Sequence, residues 1–370
     1  MSKPRVLIIE NSIDFTGALN SAVRTGELLR DHFDFHFLLP RGSKSVSYVK
    51  EKGFAFYELP MKEIRKNLWS ILFYLPFLAL NSLRLFKLLK DARINLMVSN
   101  DFYNLMPPVY RLLGGQVPYL CYVRFLPSRF PKWLVQIWFG MHARQATKIL
   151  AVSRRVESEL PRHPKVTVIY DGMDHDKTSI NWNENNRTIL YLANYIPGKG
   201  QQYALQSFSE LKDEFPEWKL RFVGGDMGLK KNERFKESLI ASAKDLGCDH
   251  QVAWCGFSAE IKQEFEQASI VLNFSDSESF SLTCLEALFY GRPVIATNSG
   301  GPSEIIDNNE SGIIISRGDI DAMTVAMRRL MNDAETRKRM GSLGRERVME
   351  RFGASQTFER LRDHCLAALA

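Results

Sequence analysis

Residues 270–290 read IVLNFSDSESFSLTCLEALFY, and this stretch decides the fold class. Its opening, residues 270–274, is apolar apart from Asn273, as expected for a parallel strand covered on both faces. A short loop of Ser, Asp and Glu follows, and the segment after it opens a helix. A strand that turns directly into a helix is half of a βαβ unit.

The same alternation extends in both directions from this stretch. Short β-rich runs occupy residues 5–10 (RVLIIE), 35–39, 54–59, 94–99, 119–123, 149–153 and 166–170. They resume at 188–193, 220–224, 252–255, 270–274, 293–297 and 312–315. Helical patterns lie between most of them, which predicts parallel sheets. The series is interrupted at 171–187, DGMDHDKTSINWNENNR, which is polar and has no hydrophobic period, the composition of a linker. At 370 residues the chain exceeds what one core ordinarily serves, since cores stop growing near ~250–300 residues. The expected architecture is therefore α/β, with two doubly wound, Rossmann-like domains at 1–171 and 172–351. A last helix at about 352–370 follows a completed second domain and can pack back on the first. Ligands of such sheets bind outside the C-terminal strand ends, so a cleft between the domains is the expected site.

Charge separates the two halves. Residues 1–180 hold 26 basic and 15 acidic residues, a net +11, whereas residues 181–370 hold 23 and 27, a net −4. The mean of +7 conceals this, and the split implies different partners for each half. Residues 68–83, LWSILFYLPFLALNSL, carry no charge but are shorter than the ~20 residues of a spanning helix and include Pro76. Lys62, Arg65 and Lys66 precede this segment, and Arg84, Lys87 and Lys90 follow it. Two readings fit: a core helix of the first domain, or a helix lying on an anionic membrane surface.

Several classes are excluded or disfavoured. Five scattered cysteines with no C-x-x-C argue against a disulfide scaffold or zinc site and for a reducing, cytoplasmic setting. The N-terminus runs directly into a strand rather than a signal peptide. No G-x-S-x-G elbow is present, and no G-x-G-x-x-G lies in a strand–helix turn, which disfavours nicotinamide and flavin enzymes. Asp174-His175-Asp176 and Asp319-Ile320-Asp321 have the spacing of magnesium ligands, but a linker and a helix cap explain them more simply.

Three turns carry chemistry. In 275–286, the backbone N–H groups near Ser281 and Leu282 open a helix and form an anion site. Glu278 precedes that helix, and Glu286, about one turn inside it, can accept hydrogen bonds from vicinal ribose hydroxyls. Helix capping explains the same residue types equally well. In 194–201, NYIPGKGQ, Lys199 beside Gly200 is placed to meet phosphate. It is not a Walker loop, because Gly200 stands where Ser or Thr would hold magnesium. In 299–304, SGGPSE, paired glycines would let a backbone approach a ligand closely, or would simply start a helix. A fourth loop, residues 10–18, holds a single glycine, Gly17.

The order of these motifs is more specific than any one of them. Lys199-Gly200, then VAWCGF at 252–257, Glu278-x7-Glu286, GRPVIA at 291–296, Gly300-Gly301-Pro302-Ser303-Glu304 and Gly312 together resemble the retaining family 4 glycosyltransferases of GT-B fold, strongly over about 165–320. The resemblance implies transfer of a sugar from a nucleotide-diphosphate-sugar to a glycan or lipid-linked acceptor, with no metal and no nucleic-acid partner. It implies that Glu286 holds the ribose, Glu278 the donor sugar, and Lys199 the diphosphate, with Ser281 and Leu282 amides assisting. It also implies that Gly200 belongs to the phosphate turn and Gly17 to the family's first loop. Three positions depart from the pattern. Asn194 replaces an Arg five residues before the Lys, Ser281 replaces a common Gly, and Arg124 follows PYLCYV where the family offers a His. Arg124 is therefore expected to supply the missing cation across the cleft. A sugar-nucleotide epimerase of similar fold and a catalytically weak sugar- or partner-binding module are the alternatives.

Overall fold

Each apolar run forms a strand. In the first half these are β1 (Arg5–Ile9), β2 (Asp34–Pro40), β3 (Ala55–Leu59), β4 (Leu96–Ser99), β5 (Tyr119–Val123), β6 (Lys148–Ala151) and β7 (Val166–Val168). The computed structural model describes residues 3–61, 68–174 and 182–370. The seven strands pair in parallel in the order β3-β2-β1-β4-β5-β6-β7. The connecting helices are α1 (Gly17–Leu28), α2 (Ser45–Glu51), α3 (Leu68–Asp91), α4 (Met106–Leu112), α5 (Lys132–Gln145) and α6 (Arg154–Glu159). Parallel pairing requires such crossovers, and the strands are apolar because helices cover both faces. Val6, Leu7, Leu96, Met97, Tyr119 and Leu120 are fully buried.

The second half repeats the scheme. β8 (Thr188–Leu192), β9 (Lys219–Val223), β10 (Val252–Cys255), β11 (Ile270–Asn273), β12 (Val294–Thr297) and β13 (Gly312–Ile315) form a parallel sheet in the order β10-β9-β8-β11-β12-β13. Its helices are α7 (Gln201–Ser209), α8 (Lys230–Asp245), α9 (Ile261–Glu266), α10 (Leu282–Phe289), α11 (Pro302–Ile305), α12 (Ile320–Asn332) and α13 (Ala334–Phe352). Its core gathers Tyr191, Phe208, Trp218, Phe222 and Phe274 with Met323, Met327 and Leu330 of α12. Each such large side chain contributes roughly 1.5–3 kcal/mol when fully buried.

Two compact units result, Met1–Gly172 with Ala354–Ala370, and Met173–Gly353. The last helix, α14 (Ala354–Leu369), lies against β4 and β5 of the first unit. Phe358 and Leu361 are buried there. No Cβ fits at Gly172, because it would meet Thr357 of α14.

No described helix is long and apolar enough to cross a membrane. α3 carries Pro76 internally, and Leu78, Leu85 and Leu89 are buried. Lys62, Arg65 and Lys66, expected to flank it, lie outside the described residues, as do His175 and Asp176 of the first D-x-D triplet. In the second triplet, Asp319 caps α12 by accepting a hydrogen bond from the Ala322 amide (3.0 Å). That is a structural role.

Candidate active site

In the second sheet, β8 lies beside β11 while its own chain continues to β9 on the other side. The loops after β8 and β11 therefore leave toward opposite faces, and the crevice between them is the topological switch point where doubly wound sheets bind ligands. The Lys199 loop follows β8, and the Glu278 loop follows β11.

The Lys199 loop is held by glycines and by one tyrosine. Gly198 and Gly200 both have left-handed backbone (φ +92° and +82°). A Cβ on Gly200 would lie 2.0 Å from the Phe274 carbonyl oxygen, so only glycine allows this approach. The Tyr191 hydroxyl donates to the Lys199 carbonyl and accepts from the Phe274 amide (2.9 Å), tying the two loops together. Burial pushes the Tyr191 phenol well above its usual range, so it remains a neutral donor. The Asp276 amide donates to the Gly198 carbonyl (2.9 Å), a second stitch. Tyr191 sits within a strand whose pattern reads simply as core, so nothing local to the sequence marked it.

Across this seam Lys199 Nζ meets Glu278 Oε1 at 2.8 Å. The lysine side chain keeps 32% of its exposure and the glutamate 13%. Glu278 is positioned through its backbone. Its amide donates to the Ser299 carbonyl (3.0 Å), and its carbonyl accepts from the Gly301 amide (3.1 Å). A Cβ on Gly301 would lie 2.1 Å from the Phe280 carbonyl oxygen. At Gly301 the close approach read from the paired glycines is therefore to the protein's own 278–280 segment, because a parallel bridge joins Glu278 to Gly300.

Ser281 caps α10 from a left-handed conformation (φ 88°), the conformation glycine adopts without strain. Its Oγ accepts from the Cys284 amide (3.4 Å) and from Asn273 Nδ2 (3.0 Å). Leu282 is the first residue of α10, so its amide has no partner within the helix. Glu286 lies one turn further along, buried on the same helix. Cys284 is also buried, and its thiol is pushed up to about 12, which removes it as a nucleophile.

The remaining expected residues have other settings. Asn194 Oδ1 accepts from the Gly225 amide (3.0 Å), and its carbonyl accepts from Gln201 Nε2 (2.9 Å). It thus ties the loop after β8 to the loop after β9. Gly17 begins α1 behind the Thr16 cap in the first unit. Arg124 departs furthest from expectation. Its guanidinium is buried and bonded to Asp171 (2.8 and 3.0 Å), Asn100 (2.8 Å) and Ser21 (3.3 Å), and it lies 4.4 Å from the Tyr122 ring centroid. Burial acts against its charge, but Asp171 and Tyr122 outweigh burial, and its pKa is raised. The cation reserved for a diphosphate is thus already neutralised inside the first unit. A different cation reaches the second-unit site: Arg317, two residues past β13, donates to the Asp276 carbonyl (2.9 Å). Its place at a C-terminal strand end was the available signal.

Among the described residues no cluster of three His, Cys, Asp or Glu side chains has metal-binding geometry.

The chain is similar to known proteins in sequence over its second unit and in fold over its whole length. Residues 173–347 match the family described as glycosyl transferases group 1. The α-1,3/1,6-mannosyltransferase ALG2 of Rhizomucor pusillus is 28% identical over 204 residues, which cover 48% of this chain and 45% of that protein. The match thus spans about half the length of this curated relative. The crystal structure of Anabaena HepE in complex with UDP and glucose superposes with a TM-score of 0.82 at 18% identity, covering 98% of this chain and 99% of that one. Sucrose-phosphate synthase from Thermosynechococcus elongatus gives a TM-score of 0.78 at 16% identity, covering 99% and 100%. Likeness at this identity establishes the fold, the two-sheet GT-B arrangement. The chain has the GT-B fold, and residues 173–347, within its second unit, are similar to the glycosyl transferases group 1 family.

Proposed function

We propose that the protein transfers a glycosyl group from a nucleotide-diphosphate-sugar to a glycan or lipid-linked acceptor, with retention of anomeric configuration, while attached peripherally to an anionic membrane surface on the cytoplasmic side. The observation that carries the reading is the Lys199–Glu278 pair at the switch point, beside the N-terminus of α10 and Glu286. HepE, of the same fold, has been solved with UDP-glucose, which supports a donor of that class.

In this reading the free enzyme holds Lys199 in place with Glu278. An incoming diphosphate replaces the carboxylate as the partner of Lys199, and the α10 amides at Ser281 and Leu282 take further charge from it. Glu278 then accepts a hydrogen bond from a hydroxyl of the donor sugar, and Glu286 accepts from the ribose. When the bond between the anomeric carbon and the phosphate oxygen breaks, negative charge grows on the departing diphosphate. Lys199 and the helix amides stabilise it without a metal. The acceptor oxygen bonds to the anomeric carbon from the same face, and its proton leaves with the diphosphate, which preserves configuration. The net +11 of residues 1–180 supports a membrane-side acceptor.

Calorimetry across nucleoside diphosphates and their sugars tests the donor assignment. Glu286→Ala is expected to weaken the preferred nucleotide roughly 10- to 100-fold, the loss of charge-assisted hydrogen bonds at about 1.5–3 kcal/mol. Unchanged affinity for every nucleotide would remove Glu286 from the ribose role. An inverted anomeric centre in the product, read by NMR, would overturn retention.

A further inference from the structure

The basic character of the first unit is concentrated in one stretch. Between Leu68 and Val156 the chain carries twelve arginines and lysines against two carboxylates, Asp91 and Asp101. Asp101 and Arg124 are buried and contribute nothing to the surface. The strand order brings the helices of this stretch together. From β1 the chain steps outward through β2 to β3, and from β4 it steps the opposite way through β5 to β6. Right-handed crossovers then place α1 and α2 on one face of the sheet and α3, α4 and α5 on the other. α3 packs on α4, where the Phe86 and Tyr110 rings meet at 4.4 Å, and α4 packs on α5.

The outer side of this three-helix layer is both apolar and cationic. Leu80 and Leu83 of α3, Leu112 of α4, and Trp133 and Ile137 one turn apart on α5 are exposed, Leu112 at 61% and Trp133 at 56%. Beside the ends of α3 and α4 runs an open groove of ≈ 790 Å³ lined by Lys87, Lys90 and Arg93, with the exposed Asp91 as its one carboxylate. Among the described residues none of these three cations forms an ion pair. Large apolar side chains exposed on the same helical layer as unpaired cations suit an interaction surface.

We infer that the α3–α4–α5 face seats the protein on an anionic lipid bilayer. The inference rests on the membrane-surface reading above and adds which surface makes the contact. Charge complementarity selects the occupant. Cations unrelieved by exposed carboxylates over most of the layer match a continuous negative surface, with each Lys or Arg near that surface worth about 1 kcal/mol. Leucine, isoleucine and an amphipathic Trp spread over a layer, rather than gathered in one pocket, suit the boundary between headgroups and acyl chains.

Flotation of the full chain with vesicles of equal parts phosphatidylcholine and phosphatidylglycerol, against vesicles of phosphatidylcholine alone, tests this. The wild type is expected to float with the anionic vesicles and to release as salt rises. Lys87→Gln/Lys90→Gln/Arg93→Gln is expected to lower partitioning on the order of 100-fold, at about fivefold per cation. Trp133→Ser/Ile137→Ser is expected to lower it at least about tenfold. Both variants should keep the thermal transition and the nucleotide affinity of the second unit, which separates lost docking from lost folding. If the wild type floats and both variants float equally well, the face is wrong and the membrane reading stands. If the wild type stays off anionic vesicles at low salt, the membrane reading falls and the face with it. A wild type that instead dimerises, with Trp133→Ser/Ile137→Ser monomeric, would overturn the inference in favour of a second copy.

Discussion

Arg124–Asp171 in the first unit and Lys199–Glu278 in the second are both cation–carboxylate pairs at the C-terminal ends of a doubly wound sheet. Their surroundings differ. The Arg124 and Asp171 side chains are 6% and 10% exposed, and the guanidinium is further bonded to Asn100 and Ser21, which itself donates to Asp171. Lys199 is about a third exposed, and Glu278 is its one ion-pair partner among the described residues. A buried cation with its donors occupied cannot accept a new anion without leaving a carboxylate stranded, a cost of several kcal/mol. A lysine about a third exposed can exchange one carboxylate for a phosphate at small cost. Saturation of the cation, more than its position on the fold, separates the structural pair from the one suited to binding.

The sharpest way to break this comparison is Asp171→Ala, which leaves Arg124 charged and buried without its partner. It is expected to cost about 3–5 kcal/mol in denaturant unfolding. A loss below about 1 kcal/mol would mean that the first-unit pair is as replaceable as a surface one. Lys199→Ala should do the opposite: stability changes by less than about 1 kcal/mol, while kcat for sugar transfer falls roughly 10²- to 10³-fold, as when one charge-stabilising donor is lost. Steady-state kinetics beside a thermal melt would check both halves.

A third test uses His142 of the first unit, whose Nε2 lies 2.7 Å from the Phe102 carbonyl oxygen and whose Nδ1 lies 3.1 Å from the Tyr119 hydroxyl. Burial lowers its pKa to about 4, although the Phe102 carbonyl pulls the other way. The unfolded chain then binds the proton more tightly than the folded one. His142 therefore favours the folded state fully above its unfolded pKa of about 6.5, and that stability is lost as pH falls from there to about 4, on the order of 3 kcal/mol. Melts from pH 7 to pH 4 should show the loss in wild type and a shallower slope in His142→Gln. The smallest effect concerns Ser281. Ser281→Ala keeps the left-handed strain and loses the cap, and should cost about 1–2 kcal/mol. Ser281→Gly relieves the strain and should be about 1 kcal/mol more stable than Ser281→Ala. Equal melts for the two would show that the φ of 88° stores no strain.

The strands were legible because parallel strands covered on both faces must be apolar, and runs such as IVLNF at 270–274 and RVLII at 5–9 cannot be much else between polar turns. The Lys199 and Glu278 loops were legible as turns of strand–loop–helix units. Their pairing was not, because 79 residues separate them and only the β8–β11 neighbour relation brings them together. Arg124 misled for the same reason: its position after β5 follows from the chain, but its partner Asp171, 47 residues on, does not. The paired glycines at 300–301 showed that something approaches closely, without showing that at Gly301 it is the carbonyl of Phe280.

By itself the sequence determined an α/β chain with two runs of alternating strands and helices, a basic half and an acidic half, and turns rich in Lys, Glu and Gly after particular strands. These are local properties, set by hydrophobic period, turn chemistry and composition. The tertiary structure alone decided that Arg124 is spent on Asp171 while Lys199 is held by Glu278, and that the cations of α3 share one face of the sheet with the apolar side chains of α5. Each of these depends on strand order and burial, and so on contacts between residues far apart in the chain, where the energy of a charge is set by what surrounds it rather than by its neighbours in sequence.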